Sequence, residues 1–533
     1  MTSTECGENV AISDSGSQDK GRRAPATELR QPTKPPAKLV VALCIYASLR
    51  ILVLTTAFPL FNYLDEKMHF LSIRMYAEGH LPGKELPQID GEFARTFLPY
   101  WSPEYDQSQE AMDRNGISVP LYRLNSQAKD SAFAQGYYAR KLEMLSRTQN
   151  FEAQAPPLYY MVAAGWYNLG AHLGMPEWSL AYWVRLLNPL AYGLLVWLSY
   201  SFVRTVYPER PFLCLAVPAL IAVFPQDVFF GMNRDVISPP MWAAALLLML
   251  DAVAGKSTPH RSLLIASFLV GLTFLVEVSS CVLYGALAAT IWVWAHRSPA
   301  TRQYKIWVGS AAAVAVLPAS IWMLRNYLVM GDLTGSRAKV RQLTWTVRPL
   351  ADVLHHPLFS FHGLSYFLGE LTRRFWRGEL VWHGLPMRSA AADRFYVLSS
   401  VLMIAIFVID FVRRRRALSD VQRWVGMQSL FLVAGSVLFL AAISLMFDFH
   451  DCYYPSRLFP YFVSGRIISG ALLPFVLMYA SGLELVTNRF RKYVPPVAVL
   501  ACLMLFITIS EIRVRSAVFS SPYNFFAVSG WRR

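Results

Sequence analysis

From Leu39 to Leu60 the chain reads "LVVALCIYASLRILVLTTAFPL", a run of about twenty residues with one charge, the length an α-helix needs to cross a hydrocarbon core of about 30 Å. Blocks of the same kind recur along the sequence. Within a bilayer each backbone N–H and C=O must be satisfied inside its own element, so such blocks form helices. Of 533 residues 54% are hydrophobic and 16% charged, which excludes an ordinary water-soluble globular protein of this length. The expected fold class is an all-α polytopic membrane protein.

The blocks predict about eleven spans: 39–60, 178–203, 212–230, 236–254, 262–278, 279–295, 306–324, 395–412, 424–447, 467–486 and 494–509. The block "PPLYYMVAAGWYNLGAHLG" is short, aromatic and opens on Pro156 and Pro157. If it crossed, the basic loops "RTVYPER", "GKSTPHR", "HRSPATRQYK", "RRRR" and "NRFRK" would all face outward. Cytoplasmic loops carry the excess of Lys and Arg, so the block is read as an amphipathic helix lying at the interface. Large outer loops then follow spans 1 and 7, at residues 61–177 and 325–394. The formal net charge of +15 sits in short clusters between apolar blocks, which is a topological signal and not a nucleic-acid footprint.

Residues 1–38, rich in Ser, Thr, Pro and charge, lack the apolar core of a secretory signal and are expected to form a disordered cytoplasmic tail. Residues 39–533 form the transmembrane domain. Four of the six cysteines fall inside apolar blocks, and Cys452 stands alone in a polar loop, so no disulfide framework is implied.

The outer segments hold the chemistry. In "FNYLDEKMHF" a helix beginning near Asp65 would put Asp65, Glu66 and His69 on one face at the mouth of span 1. Acids at a helix N-terminus also suit its dipole, so both a functional and a decorative reading are open there. Carboxylates and an imidazole on one face are compatible with a divalent metal, although the spacing is not a zinc signature. Asp448, His450 and Asp451 in "DFHD" read more simply as a solvated loop. The loop "FPQDVFFGMNRDVISPP" brings Asp227, Asn233, Arg234 and Asp235 toward the surface that carries Asp65. There Asp235 is either a second acid facing a shared cavity or an N-cap for span 4. Arg325, Arg457 and Arg466 lie at outer span ends, against the positive-inside bias. A single such Arg is most simply a snorkelling side chain, but three at two mouths point to a phosphate gripped by guanidinium forks. Within the bilayer, Arg50 is best read as paired inside the bundle.

Taken in order, "DExxH" after span 1, "PPLYY", "RLLNPL", the "NRD" loop, "RNYLVMGDLTG" after span 7 and an Arg-Pro aromatic segment before a late span resemble the plan of membrane-embedded fold-C (GT-C) glycosyltransferases. Among these the chain is similar to bacterial relatives of the protein O-mannosyltransferases and of the lipid A aminoarabinose transferase. The resemblance covers nearly the whole chain after residue 38. It implies a polyprenyl-phosphate-linked sugar as donor, a glycan, lipid or protein of the cell envelope as acceptor, and an active site on the extracytoplasmic side of a bacterial plasma membrane. It places Asp65 at the catalytic acid position with Glu66 beside it, Asp235 at substrate, and Arg325, Arg457 and Arg466 at the donor phosphate; His69 and Asn233, close to these acids in the sequence, are expected to bind substrate as well. No proline precedes "DE", and Glu277 stands where many relatives carry lysine. From a different class, a secondary transporter or lipid flippase would also place charges beside a bundle, though with smaller outer loops.

Overall fold

The computed structural model describes residues 37–62, 65–114, 120, 122, 132–255, 258–297, 302–452 and 454–530. Residues 1–36, which hold most of the expected cytoplasmic tail, lie outside them. The protein is an all-α polytopic membrane protein. Among the described residues nine helices are long and apolar enough to cross a membrane: Lys38–Ala57, Glu177–Val206, Arg234–Val253, Val278–Arg297, Lys305–Met330, Ala390–Arg414, Asp420–Met446, Gly465–Arg489 and Pro496–Val528. Pro211–Ala222 and Pro259–Phe274 are apolar but shorter. The expected set of about eleven therefore divides into nine long helices and two short ones.

Local chemistry explains several boundaries. The helix Asp420–Met446 starts on a capping box, with the Ser419 and Gln422 side chains each accepting from the other's backbone N–H. The long helix from Glu177 breaks at Leu186, between Glu177–Arg185 and Leu187–Val206. Pro189 lacks an N–H, and its ring crowds the carbonyl four residues back, which is that of Arg185. The span expected over 212–230 ends at Ala222. At about 1.5 Å per residue, a helix of that length falls well short of the hydrocarbon core. Pro225 follows, and the rest of the block forms the short turn Asp227–Phe230.

Gly465–Arg489 is the centre of the bundle: 94% of its apolar window is buried, against 22% for Ala390–Arg414 and 28% for Lys38–Ala57. Helices packed on every side remove it from lipid, whereas the outer helices keep one apolar face for the acyl chains. The helix Leu158–His172, opening on the expected interfacial "PPLYY", is not among the long apolar ones; it packs on Glu66–Ala77.

Between the first two long helices and again between Met330 and Ala390 the chain forms short helices and turns. The amphipathic helix Phe361–Arg377 buries Phe367, Leu371, Phe375 and Trp376 while Phe361, Leu364 and Tyr366 remain exposed. It ends at Gly378, whose φ of 98° only glycine adopts readily; a Cβ there would also strike the Asp227 carboxylate. The absent side chain lets Asp227 accept from the backbone N–H groups of Glu379 and Leu380, both at 2.7 Å. Two short antiparallel pairings complete the segment, Thr346–Val347 with Phe447–Asp448 and Val381–Trp382 with Leu385–Pro386.

Candidate active site

These polar segments converge on a cavity of about 600 Å³ lined by residues from the 61–152 region, the "NRD" loop, the Lys339–Met387 segment and the residues before the central helix. Asp65, His69, Asp235 and Arg466 all line it. Arg466 donates to Asp65 Oδ2 at 3.2 Å, and its other terminal nitrogen lies 3.9 Å from Asp235 Oδ2. Two acids from distant loops are thus held by one guanidinium.

Asp65 has φ 62° and ψ 17°, the left-handed region, and stands at the N-cap of Glu66–Ala77 without a side-chain capping bond. An Asp at that position ordinarily accepts from the second or third helical N–H. Here the carboxylate turns to Arg466 and the cavity instead. Strained backbone of this kind costs about 1–3 kcal/mol and gathers at functional sites. Asp235 is not the helix cap either: Asn233 is, with its side-chain oxygen accepting from Asp235 N at 2.9 Å, and Asn233 does not line the cavity.

Glu66 departs from the expected common face with Asp65 and His69. It is fully buried and turned into the packed interior, where its two oxygens accept from Arg185 Nε and Nη2, both at 2.6 Å. It also accepts from the backbone N–H of Asn62 and of Met232. The remaining Arg185 hydrogens go to the carbonyls of Thr55, Phe58 and Pro59. Arg185 in the interior demands a counter-ion, and Glu66 is it.

Arg325 and Arg457 do not line the cavity. Arg325 bonds to the Pro82 carbonyl and stacks near Trp322, while Arg457, exposed, pairs with Asp448 at 3.3 Å in a turn of its own with His450. Other cations take their place. Lys339 pairs with Glu152, and Arg234 with Glu152 at 3.0 Å and with Glu277 at 2.5 Å, so the Glu277 that stands where a lysine was expected is the counter-ion of Arg234. Arg373 and Arg374 share Glu370, and Arg374 lies 4.3 Å above the Tyr454 ring. Glu379, 3.9 Å from Arg374, accepts from Gly465 N and so joins this end of the cavity to Arg466. From the aromatic tract "FWRGELVWHGLP", Trp382 is edge-on to Tyr105, while Leu380 and Pro386, with Met387 just after the tract, give the cavity an apolar wall.

Burial opposes ionisation of Glu152, but Arg234 and Lys339 outweigh it and hold the carboxyl well below the usual range. His69 is pushed down to about 3, by burial first, with Arg234, Arg466 and Lys339 adding to it against Glu152. Its ring is therefore neutral at physiological pH. Among the described residues no group of three or more His, Cys, Asp and Glu side chains is arranged to hold a metal ion.

A family model described as "Predicted membrane protein (DUF2142)" matches residues 49–450. The chain belongs to that family. No curated protein matches. Among solved structures, this DUF2142 protein is similar to the oligosaccharyltransferase of Archaeoglobus fulgidus in three states. With an inhibitory peptide and a dolichol-phosphate, the identity is 12%, covering 92% of this chain and 56% of that one, with a TM-score of 0.42. Tethered to an acceptor peptide, that enzyme gives 12%, 92%, 56% and 0.41, and in complex with Zn and sulfate 14%, 69%, 44% and 0.36. The chain thus spans about half the length of the solved enzyme, at 56%.

Proposed function

We propose that this protein is an integral membrane glycosyltransferase that moves a sugar from a polyprenyl-phosphate donor to a cell-envelope acceptor on the extracytoplasmic side. The supporting observation is Asp65, a carboxylate in left-handed backbone that caps nothing and faces the cavity beside Arg466. The order of motifs from "DExxH" to the Arg-Pro segment agrees with it. The five basic loops support a cytoplasmic position for the opposite ends of the spans.

In this mechanism the acceptor hydroxyl gives its proton to Asp65 as its oxygen attacks the anomeric carbon. The bond from that carbon to the phosphate oxygen breaks with inversion, and the polyprenyl phosphate leaves as an anion beside Arg466. General-base help is worth about 100- to 10,000-fold, and preorganised cations act where charge develops on the leaving group. Arg373 and Arg374, which share Glu370, with Glu379 3.9 Å from Arg374, line the same cavity and supply further guanidinium donors. Asp235 competes with Asp65 for Arg466 and binds substrate. Glu66 acts as a positioning residue, because its oxygens are consumed by Arg185 and by backbone donors.

The test is incubation of the purified protein with a panel of radiolabelled polyprenyl-phosphate sugars and envelope acceptors, with and without chelator. Label should pass to an acceptor in wild type and not in Asp65→Asn. Movement of intact lipid-linked sugar across a vesicle membrane with no transfer would replace the enzyme by a flippase. Loss of transfer with chelator would add a divalent metal to the site.

A further inference from the structure

At the cavity wall, His69 and Glu152, which line it, and Tyr160 form a chain of buried contacts that the transfer mechanism does not use. His69 Nδ1 lies 2.8 Å from the Tyr160 hydroxyl, and that hydroxyl lies 3.5 Å from Glu152 Oε2. Tyr160 and His69 are both buried, with rings nearly parallel at 23°. His69 Nε2 is buried and has no hydrogen-bond partner among the described residues, although the residue lines the cavity.

The phenol has one hydrogen to give. If it goes to His69 Nδ1, the Tyr160 and Glu152 oxygens face each other with no proton between them. Nε2–H is then left as an orphaned buried donor, a rare arrangement in folded proteins. If it goes to Glu152, which Arg234 and Lys339 hold ionised, the phenol oxygen accepts from Nδ1–H. The only unmet group is then an acceptor lone pair on Nε2.

We propose that Glu152 and Tyr160 are positioning residues that fix His69 as the Nδ1–H tautomer, so that its Nε2 accepts a hydrogen bond from a hydroxyl of the sugar-bearing substrate. This rests on the glycosyltransferase reading for its substrate class. Of the charged groups acting on the ring, the cations Arg234, Arg466 and Lys339 oppose a positive charge on it and the anion Glu152 favours one; a neutral hydroxyl is compatible with both.

The test uses the full chain, labelled with ¹⁵N-histidine and purified in lipid nanodiscs. The His69 resonances are identified by their loss in His69→Gln. Wild type should show Nδ1 protonated and Nε2 bare, and Tyr160→Phe, which keeps the ring stack, should lose that preference. Added free monosaccharides should shift the Nε2 signal. Tyr160→Phe should weaken that binding by roughly five- to tenfold, the worth of one neutral hydrogen bond. A protonated Nε2 in wild type overturns the proposal, as does a signal that responds to Zn²⁺ and to no monosaccharide. A protein with the Nδ1–H tautomer and the sugar response that transfers nothing defeats the enzyme reading and keeps the subsite. One that transfers sugar with Nε2 protonated loses the subsite alone.

Discussion

Two settings of buried charge in this molecule differ in how much of their hydrogen-bonding capacity is spent. In one, every group is consumed. Glu66 and Arg185 satisfy each other and five backbone groups. Arg50 donates to Glu511 Oε2 at 2.8 Å and to the carbonyls of Ala222 and Phe224, while Arg515 pairs with the same Glu511. In the other setting, around the cavity, Asp65 and Asp235 divide one guanidinium, and His69 Nε2 has no hydrogen-bond partner among the described residues. A closed set fixes geometry, since removing either partner strands a charge in low dielectric. An open set stabilises less and retains capacity for a ligand. Charge inside a membrane bundle is thus a weaker sign of function than unspent hydrogen-bonding capacity beside a cavity.

The largest expected effect tests the open set. Asp65→Asn should lower transfer by about 100- to 10,000-fold while the thermal unfolding midpoint stays near wild type. Its neighbour in sequence should behave in the opposite way. Glu66→Gln leaves Arg185 without its counter-ion, and breaking such a pair costs about 3–5 kcal/mol, read as loss of monodisperse protein on size exclusion. If Glu66→Gln were stable and inactive while Asp65→Asn failed to fold, the two roles would have to be exchanged.

Two of the arginines expected at the donor phosphate extend the contrast. Arg466→Ala removes the shared partner of Asp65 and Asp235. Truncating one side of a buried charge pair costs about 2–5 kcal/mol, so transfer should fall at least thirtyfold, with the rise in KM for the lipid-linked donor as its mark. Arg457→Ala breaks an exposed pair worth about 0–1 kcal/mol and should stay within a few-fold of wild type. Equal losses in both would mean that the donor phosphate spans the Asp448 turn as well as the cavity.

Those four residues also mark where the sequence was legible. Apolar blocks carry the positions and order of the helices, because the bilayer imposes length on each segment separately, although two of the expected spans form only short helices. Asp65 and Glu66 look alike in "LDEK", and only the position of Arg185 separates them, 119 residues from Glu66. Arg325, Arg457 and Arg466 have similar local surroundings, yet one of the three reaches Asp65, over a separation of 401. Glu152 and Lys339, absent from the expected site, are 187 apart and share no spacing or motif. Tyr160 lay inside a motif that was visible, "PPLYY", but its tie to His69 depends on how Leu158–His172 packs against Glu66–Ala77.

A last expected effect is a pH dependence to which His69 contributes. Its folded-state pKa, about 3, lies below the 6.5 of the free side chain. The unfolded chain therefore binds a proton at this residue as the pH falls below 6.5, while the folded chain does not, and stability declines across that window. The contribution is fully present above pH 6.5. Glu152, also depressed, adds its own loss only below its ordinary 4.5. Thermal unfolding of the wild type and of His69→Gln, compared from pH 7 to pH 5, isolates the imidazole. The wild-type midpoint should drop more steeply than that of the variant. Parallel curves would mean that His69 is solvated enough to charge in the folded state, and would place it with the exposed groups instead of in the open set around the cavity.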